Sequence, residues 1–226
     1  MNDIKIDKLN RDEIARYLEY KNSMLDEAML ELLCKEEEKL LKACSFRYVY
    51  RCFDVLRQDD AIIPQGTQLK LQGESITTHL KGCDKMLLVA GTISAEVDKL
   101  LRIMSITDLL KALVYDAMAN VAIEQGMEKL SDKLKSIYGE YNHTFRFGIG
   151  YGDLSIDIQK DFLQLLNAPK LIGLTVNNSN MMLPTKSITA IIGLSKNELT
   201  KKNIDCNDCN LQGNCRFRKR GERCNE

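Results

Sequence analysis

Phe145-Arg146-Phe147-Gly148-Ile149-Gly150-Tyr151-Gly152-Asp153 places three glycines in five positions behind an arginine and around a tyrosine. Further on comes Met181-Met182-Leu183-Pro184-Thr185-Lys186-Ser187-Ile188-Thr189-Ala190, and far upstream stands Val89-Ala90-Gly91-Thr92-Ile93-Ser94-Ala95-Glu96-Val97-Asp98. Glycine reaches backbone conformations closed to other residues and lets a ligand come close to the chain, so the backbone N–H groups become available as donors. Arg146 has the planar fork that grips a carboxylate, and the face of the Tyr151 ring attracts a cation. The same glycines would equally serve a tight surface turn with a solvated Arg146.

Working outward, the pattern is that of an α+β chain. Asn10 or Asp12 caps a short helix through Tyr20, and Leu25, Met29, Leu32, Leu33, Leu40 and Leu41 recur at helical spacing, with Glu36-Glu37-Glu38 read as a solvated face. Between 45 and 56 the period becomes two, which predicts a strand. Pro64-Gln65-Gly66 is the expected turn into a second strand over 67–71. A short helix over 75–80 is ended by Gly82, and 85–90 is an apolar run of strand length. The longest helical signal covers 94–129. Val97, Leu101, Met104, Leu110, Leu113, Val114, Ala117, Val121 and Ala122 form its apolar stripe, and a break is expected near Ser105, Thr107 and Asp108. Ser155 starts a helix over 155–166, Pro169 stops it, and 171–176 and 187–194 read as strands.

Arginine, glycine-rich turn ending in Gly-Tyr, helix, short strand, then Met-x-Pro-x-x-Ser-x-Thr is an order that resembles the activation (reactivation) domain of cobalamin-dependent methionine synthase. Val89–Asp98 is similar to that family's turn into its long helix, and the helices through Arg16-Tyr17-Leu18 look like those of its free-standing members. The resemblance implies a mixed or antiparallel sheet flanked by long helices, in one domain over 1–195 with a helical part at 1–44. It implies an S-adenosylmethionine site at Glu140, Arg146, Gly148, Gly150 and Tyr151. The activity it implies is reductive methylation of cob(II)alamin, with S-adenosylmethionine as methyl donor and the cobalamin held by the cobalamin-binding module of a methionine synthase or a related corrinoid protein. Where the family carries prolines this loop has Phe147, Ile149 and Gly152, and the tyrosine pair expected after the last strand is replaced by Lys196-Asn197-Glu198. Those departures leave a non-enzymatic alternative open, a corrinoid-protein docking or redox adaptor.

Composition sets outer limits. Lys plus Arg equal Asp plus Glu at 32 each, so no global field draws the chain to nucleic acid or an anionic membrane. Without a long apolar run or a signal-peptide pattern, a cytoplasmic protein is expected. After residue 196 the hydrophobic pattern stops, leaving a polar linker and an irregular cysteine-rich tail over 196–226. Cys206, Cys209, Cys215 and Cys224 are spaced so that one pair shares a turn and two more thiolates complete four ligands. The expected occupant is a [4Fe-4S] cluster or zinc, the cluster being preferred because reduction of cob(II)alamin takes one electron. Arg216, Arg218, Lys219, Arg220 and Arg223 would then offset the thiolate charge or dock an acidic donor such as a flavodoxin or ferredoxin.

Overall fold

The structure, a computed structural model, describes residues 4–20 and 25–199. Its strands are β1 (Arg47–Gln58), β2 (Ala61–Pro64), β3 (Leu71–Gln72), β4 (Lys85–Thr92), β5 (Asn142–His143), β6 (Phe147–Gly148), β7 (Thr175–Val176), β8 (Met182–Leu183) and β9 (Ser187–Ser195). Seven of them make one antiparallel sheet in the order β3-β2-β1-β4-β9-β5, with β6 also on β9, while β7 and β8 form a separate ribbon. Helices cover both faces. On one lie α1 (Arg11–Tyr17), α2 (Glu27–Ala43), α4 (Ala95–Thr107) and α5 (Leu109–Ile137); on the other lie α3 (Glu74–His79), α6 (Gln159–Leu165) and α7 (Ala168–Ile172).

The two-sided cover explains the central strands. Leu87 and Val89 of β4 enter the core beneath α2 and α5, whereas Met86, Leu88 and Ala90 enter the core beneath α6 and α7. A strand buried on both faces has no polar side to show, hence the continuous apolar run. α5 crosses the sheet at its closest over Gly126, where any added Cβ would overlap the buried ring of Phe46. The break anticipated in the long helical stretch falls at Asp108, whose carboxylate accepts from the Lys111 N–H at 3.1 Å and starts α5.

Four expectations are corrected. The first hairpin turns at Asp59-Asp60, with Asp59 at φ 51°, so β2 precedes the expected turn at Pro64-Gln65-Gly66, where the Thr67 N–H donates to the Pro64 carbonyl at 3.1 Å, and of 67–71 only Leu71 is strand. Pro169 sits in the first turn of α7, where its missing N–H costs nothing, and only Thr175–Val176 of 171–176 is strand. The acidic run is not a solvated face, because Glu36 is 1% exposed and accepts from the Tyr115 hydroxyl at 2.7 Å and the Lys39 ammonium at 2.8 Å. The hydrogen bond from Lys39, with those of Tyr115 and the charge of Lys111, outweighs burial and holds the Glu36 carboxyl below its usual range. Glu37 pairs with Arg11 at 3.2 Å, and Glu38 alone of the three stays in water. Finally, Leu110 and Leu113 leave the apolar stripe and are exposed beside Ile106 and Leu109 at the α4–α5 corner.

Candidate functional site

The glycine-rich stretch runs along the edge of β9. β6 pairs antiparallel with it, Phe147 opposite Ile191 and Gly148 opposite Ala190, so Arg146 is delivered to the sheet margin one residue before the ladder begins. The chain then turns tightly, with the Tyr151 N–H donating to the Gly148 carbonyl at 3.2 Å and the Leu154 N–H to the Tyr151 carbonyl at 3.1 Å. Gly150 at φ 82° and Gly152 at φ 59° hold the left-handed conformations this turn needs. Gly152 is doubly constrained, since a Cβ there would lie 2.5 Å from the Ser75 hydroxyl oxygen. Asp153 anchors the far end by accepting from the N–H groups of Glu74 at 2.6 Å and Ser75 at 3.0 Å. Partial burial pushes the Asp153 carboxyl up, but the hydrogen bonds from Ser75 and Glu74 outweigh it and hold the group below its usual range.

Arg146 itself faces α5. Its Nη2 donates to Glu124 Oε2 at 3.0 Å, while Nη1 is buried and has no hydrogen-bond acceptor among the described residues. Glu124 belongs to a row on α5 at four-residue spacing, Asp116, Asn120 and Glu124, and the other two hold Lys186 Nζ at 2.7 Å each. Two cations from two separate sequence motifs are therefore seated on one helix face. Tyr17 of α1 lies near the same carboxylates, and burial followed by the charge of Glu124 raises its phenol above the ordinary value. The four-residue spacing was the signal in the sequence for this row, which the motifs alone did not bring out.

The stretch 89–98 meets 181–190 at the start of β9. Asp98 accepts from the N–H and the hydroxyl of Thr185, both at 2.7 Å, and Ser187 donates its hydroxyl within reach of Thr92 at 2.8 Å and the Pro184 carbonyl at 2.7 Å. Thr189 forms a buried pair with Gln159 at 2.8 Å. Of the expected ligand residues, Gly148, Gly150 and Tyr151 lie along one turn, whereas Arg146 just before it turns its side chain to α5; Tyr151 is 40% exposed with its ring edge-on to Phe147 at 5.5 Å. Glu140 is exposed in the turn after α5, and the carboxylate joined to Arg146 is Glu124. A cleft of about 410 Å³ opens beside Arg146, lined among others by Glu128, Asp132, Lys135, His143 and Phe145. His143 thus reaches the cleft wall, with Nε2 3.2 Å from the Tyr138 carbonyl oxygen. His79, without an evident partner in the sequence, packs against Phe145 and Phe147.

Cys206, Cys209, Cys215 and Cys224 lie outside the described residues, and among the described residues no cluster of three or more His, Cys, Asp or Glu side chains could hold a metal ion. Of the scattered cysteines, burial pushes the thiols of Cys44 and Cys83 up to about 11, which keeps them protonated and unreactive. No helix among the described residues is long and apolar enough to cross a membrane.

No family model and no curated protein matches the chain. Among solved structures it is similar to the MetH reactivation domain bound to AdoHcy, with a TM-score of 0.60 and 16% sequence identity over 81% of this chain and 70% of that one. The chain has an activation-domain-like α+β fold.

Proposed function

We propose that the chain is an activation subunit that supports reductive methylation of cob(II)alamin on a methionine synthase. The observation that carries this is the state of Arg146, two residues before the glycine turn: Nη2 of its guanidinium is paired with Glu124, and Nη1 is buried without an acceptor among the described residues. A buried donor without a partner costs of the order of 1–3 kcal/mol, and the carboxylate of an amino acid removes that cost. S-adenosylmethionine offers this carboxylate together with a sulfonium for the Tyr151 ring, and the similar solved domain carried AdoHcy. The residues present therefore fit the group: Arg146 for the carboxylate, Tyr151 for the cationic end, and the Gly148–Gly152 turn for close approach. Bound there, S-adenosylmethionine supplies the methyl group that reduced cobalamin on the partner takes up.

The chain's own part is position and access. Its partner in this reading is the cobalamin-binding module of a methionine synthase without an activation domain, and the electron comes from a flavodoxin or ferredoxin, through a [4Fe-4S] cluster at Cys206, Cys209, Cys215 and Cys224 if those residues hold iron instead of zinc. The Glu124–Arg146 pair favours a second reading, because it already satisfies half of the guanidinium: a docking or redox adaptor that binds no S-adenosylmethionine. Calorimetric titration with S-adenosylmethionine and S-adenosylhomocysteine, with and without a cobalamin module, separates the two. Saturable binding supports the activation subunit; no heat in either case supports the adaptor.

A further inference from the structure

In an extended segment neighbouring side chains point to opposite faces, and residues 145–147 use this alternation to aim a charged residue. Phe145 and Phe147 point to the α3 side of the sheet, so Arg146 between them is turned to the α5 side, where Glu124 meets it. His79, the last residue of α3, holds both rings: its imidazole centroid is 4.5 Å from that of Phe145 and 5.0 Å from that of Phe147. Its Nε2 lies 2.9 Å from the Thr144 hydroxyl oxygen. Thr144 in turn is tied to β9 in both directions, receiving the Gly193 N–H on its hydroxyl at 2.7 Å and giving its own N–H to the Gly193 carbonyl at 3.0 Å. The other end of α3 takes the Asp153 carboxylate on the N–H groups of Glu74 and Ser75. One six-residue helix thus grips the segment 144–153 before the arginine and after the tyrosine.

We propose that His79 is a positioning residue for the ligand site: through the Thr144 hydroxyl and the two phenylalanine rings it fixes the rotational setting of residues 144–147 and with it the direction of Arg146. This rests on the reading of Arg146 as the carboxylate-binding residue. Burial pushes the imidazole down to about 4, so at neutral pH the ring is neutral, and Nε2 shares one hydrogen bond with the Thr144 hydroxyl in either tautomer. His79 touches no ligand atom in this scheme.

The experiment compares the full chain with its His79→Phe and His79→Gln variants by calorimetry with S-adenosylhomocysteine, thermal unfolding, and amide hydrogen exchange. His79→Phe keeps an aromatic ring against Phe145 and Phe147 but removes the hydrogen-bonding nitrogen, whereas His79→Gln keeps a hydrogen-bonding group and loses the ring. Expected are a roughly tenfold weaker affinity for His79→Phe with little change in melting temperature, and an affinity within about threefold of the parent for the less stable His79→Gln. The Gly193 and Tyr151 amides should exchange faster in His79→Phe. Equal affinity for His79→Phe and the parent, or affinity that falls in step with melting temperature across both variants, overturns the proposal. If the parent binds no S-adenosylhomocysteine the ligand reading fails by itself, and exchange then decides the positioning claim: unchanged protection over 144–154 in His79→Phe sinks it, and faster exchange sustains it.

Discussion

Arg146 concentrates the chemistry of this chain because a guanidinium is always charged and its two edges are chemically separate. With Nη2 on Glu124 and Nη1 left to a ligand, Arg146→Ala should weaken S-adenosylmethionine binding by about 1.5–3 kcal/mol, the worth of a hydrogen bond between charged groups. Calorimetry on a variant that unfolds at the parent temperature checks this. The tight turn through Gly148, Gly150 and Gly152 was legible in the sequence because it is a local property of three closely spaced glycines. Glu124 was not, since it stands on a helix 22 residues upstream and becomes a neighbour only when α5 crosses the sheet; Glu140, which the resemblance implies, is exposed in the turn after α5. His79 makes a second prediction at this scale. Burial lowers its folded-state pKa from 6.5 to about 4, so the unfolded chain takes up the proton first as pH falls. Its contribution is fully present above about 6.5 and is lost as the pH drops from there through about 4, in total on the order of 3 kcal/mol. Denaturant unfolding from pH 7.5 down to pH 4 should therefore show a decline in the parent that is reduced in His79→Phe; parallel declines would contradict it.

Among the elements, α5 does most to join core and site, packing Val114, Ala117, Met118, Val121, Ala122, Met127, Leu130 and Leu134 inward and presenting Asp116, Asn120 and Glu124 to the β9 margin. Its closest approach depends on Gly126. Alanine there gains up to about 1 kcal/mol of helix propensity, but its methyl overlaps the buried Phe46 ring, and overpacking of a tight core costs about 1–3 kcal/mol. Gly126→Ala is thus expected to lower stability by about 1–2 kcal/mol in chemical denaturation, and Phe46→Leu in the same chain to recover part of it. β4, β9 and the α4–α5 break could be read in advance because periodicity and a capping aspartate are properties of the segment itself. The stretch 171–176 could not. Ile172 and Leu174 are apolar because they fill the second core, and α7 is closed by Gly173 at φ 72° whether or not its residues favour strands. Glu36 was hidden for a similar reason, since only α5 supplies the Tyr115 hydroxyl and Lys111 that make its burial tolerable.

At the scale of the whole molecule, the described residues between Ile4 and Leu199 build two hydrophobic clusters, one on each face of the sheet beneath its helical layer. In the proposed reactivation role the two parts would act together: the domain to present S-adenosylmethionine, the cysteine tail to hold metal and, with iron, to pass an electron. Because order in a polar, cysteine-dense segment comes from ligation and not from apolar burial, the two parts should respond to mutation separately. Cys206→Ala or Cys209→Ala is expected to abolish metal content, as each removes half of the only closely spaced pair, while melting temperature and S-adenosylmethionine affinity stay at the parent values. Cys224→Ala should be milder, another ligand replacing a thiolate so far along the chain. Anaerobically purified parent with a [4Fe-4S] cluster should absorb broadly near about 400 nm and restore turnover to an inactivated methionine synthase that lacks an activation domain, given reductant and S-adenosylmethionine, and the Cys206 and Cys209 variants should do neither. Stoichiometric zinc in a colourless parent would take the electron path away and leave a structural knot. A synthase that stays inactive with this chain yet recovers with an intact activation domain would count against the reactivation role, whatever the metal.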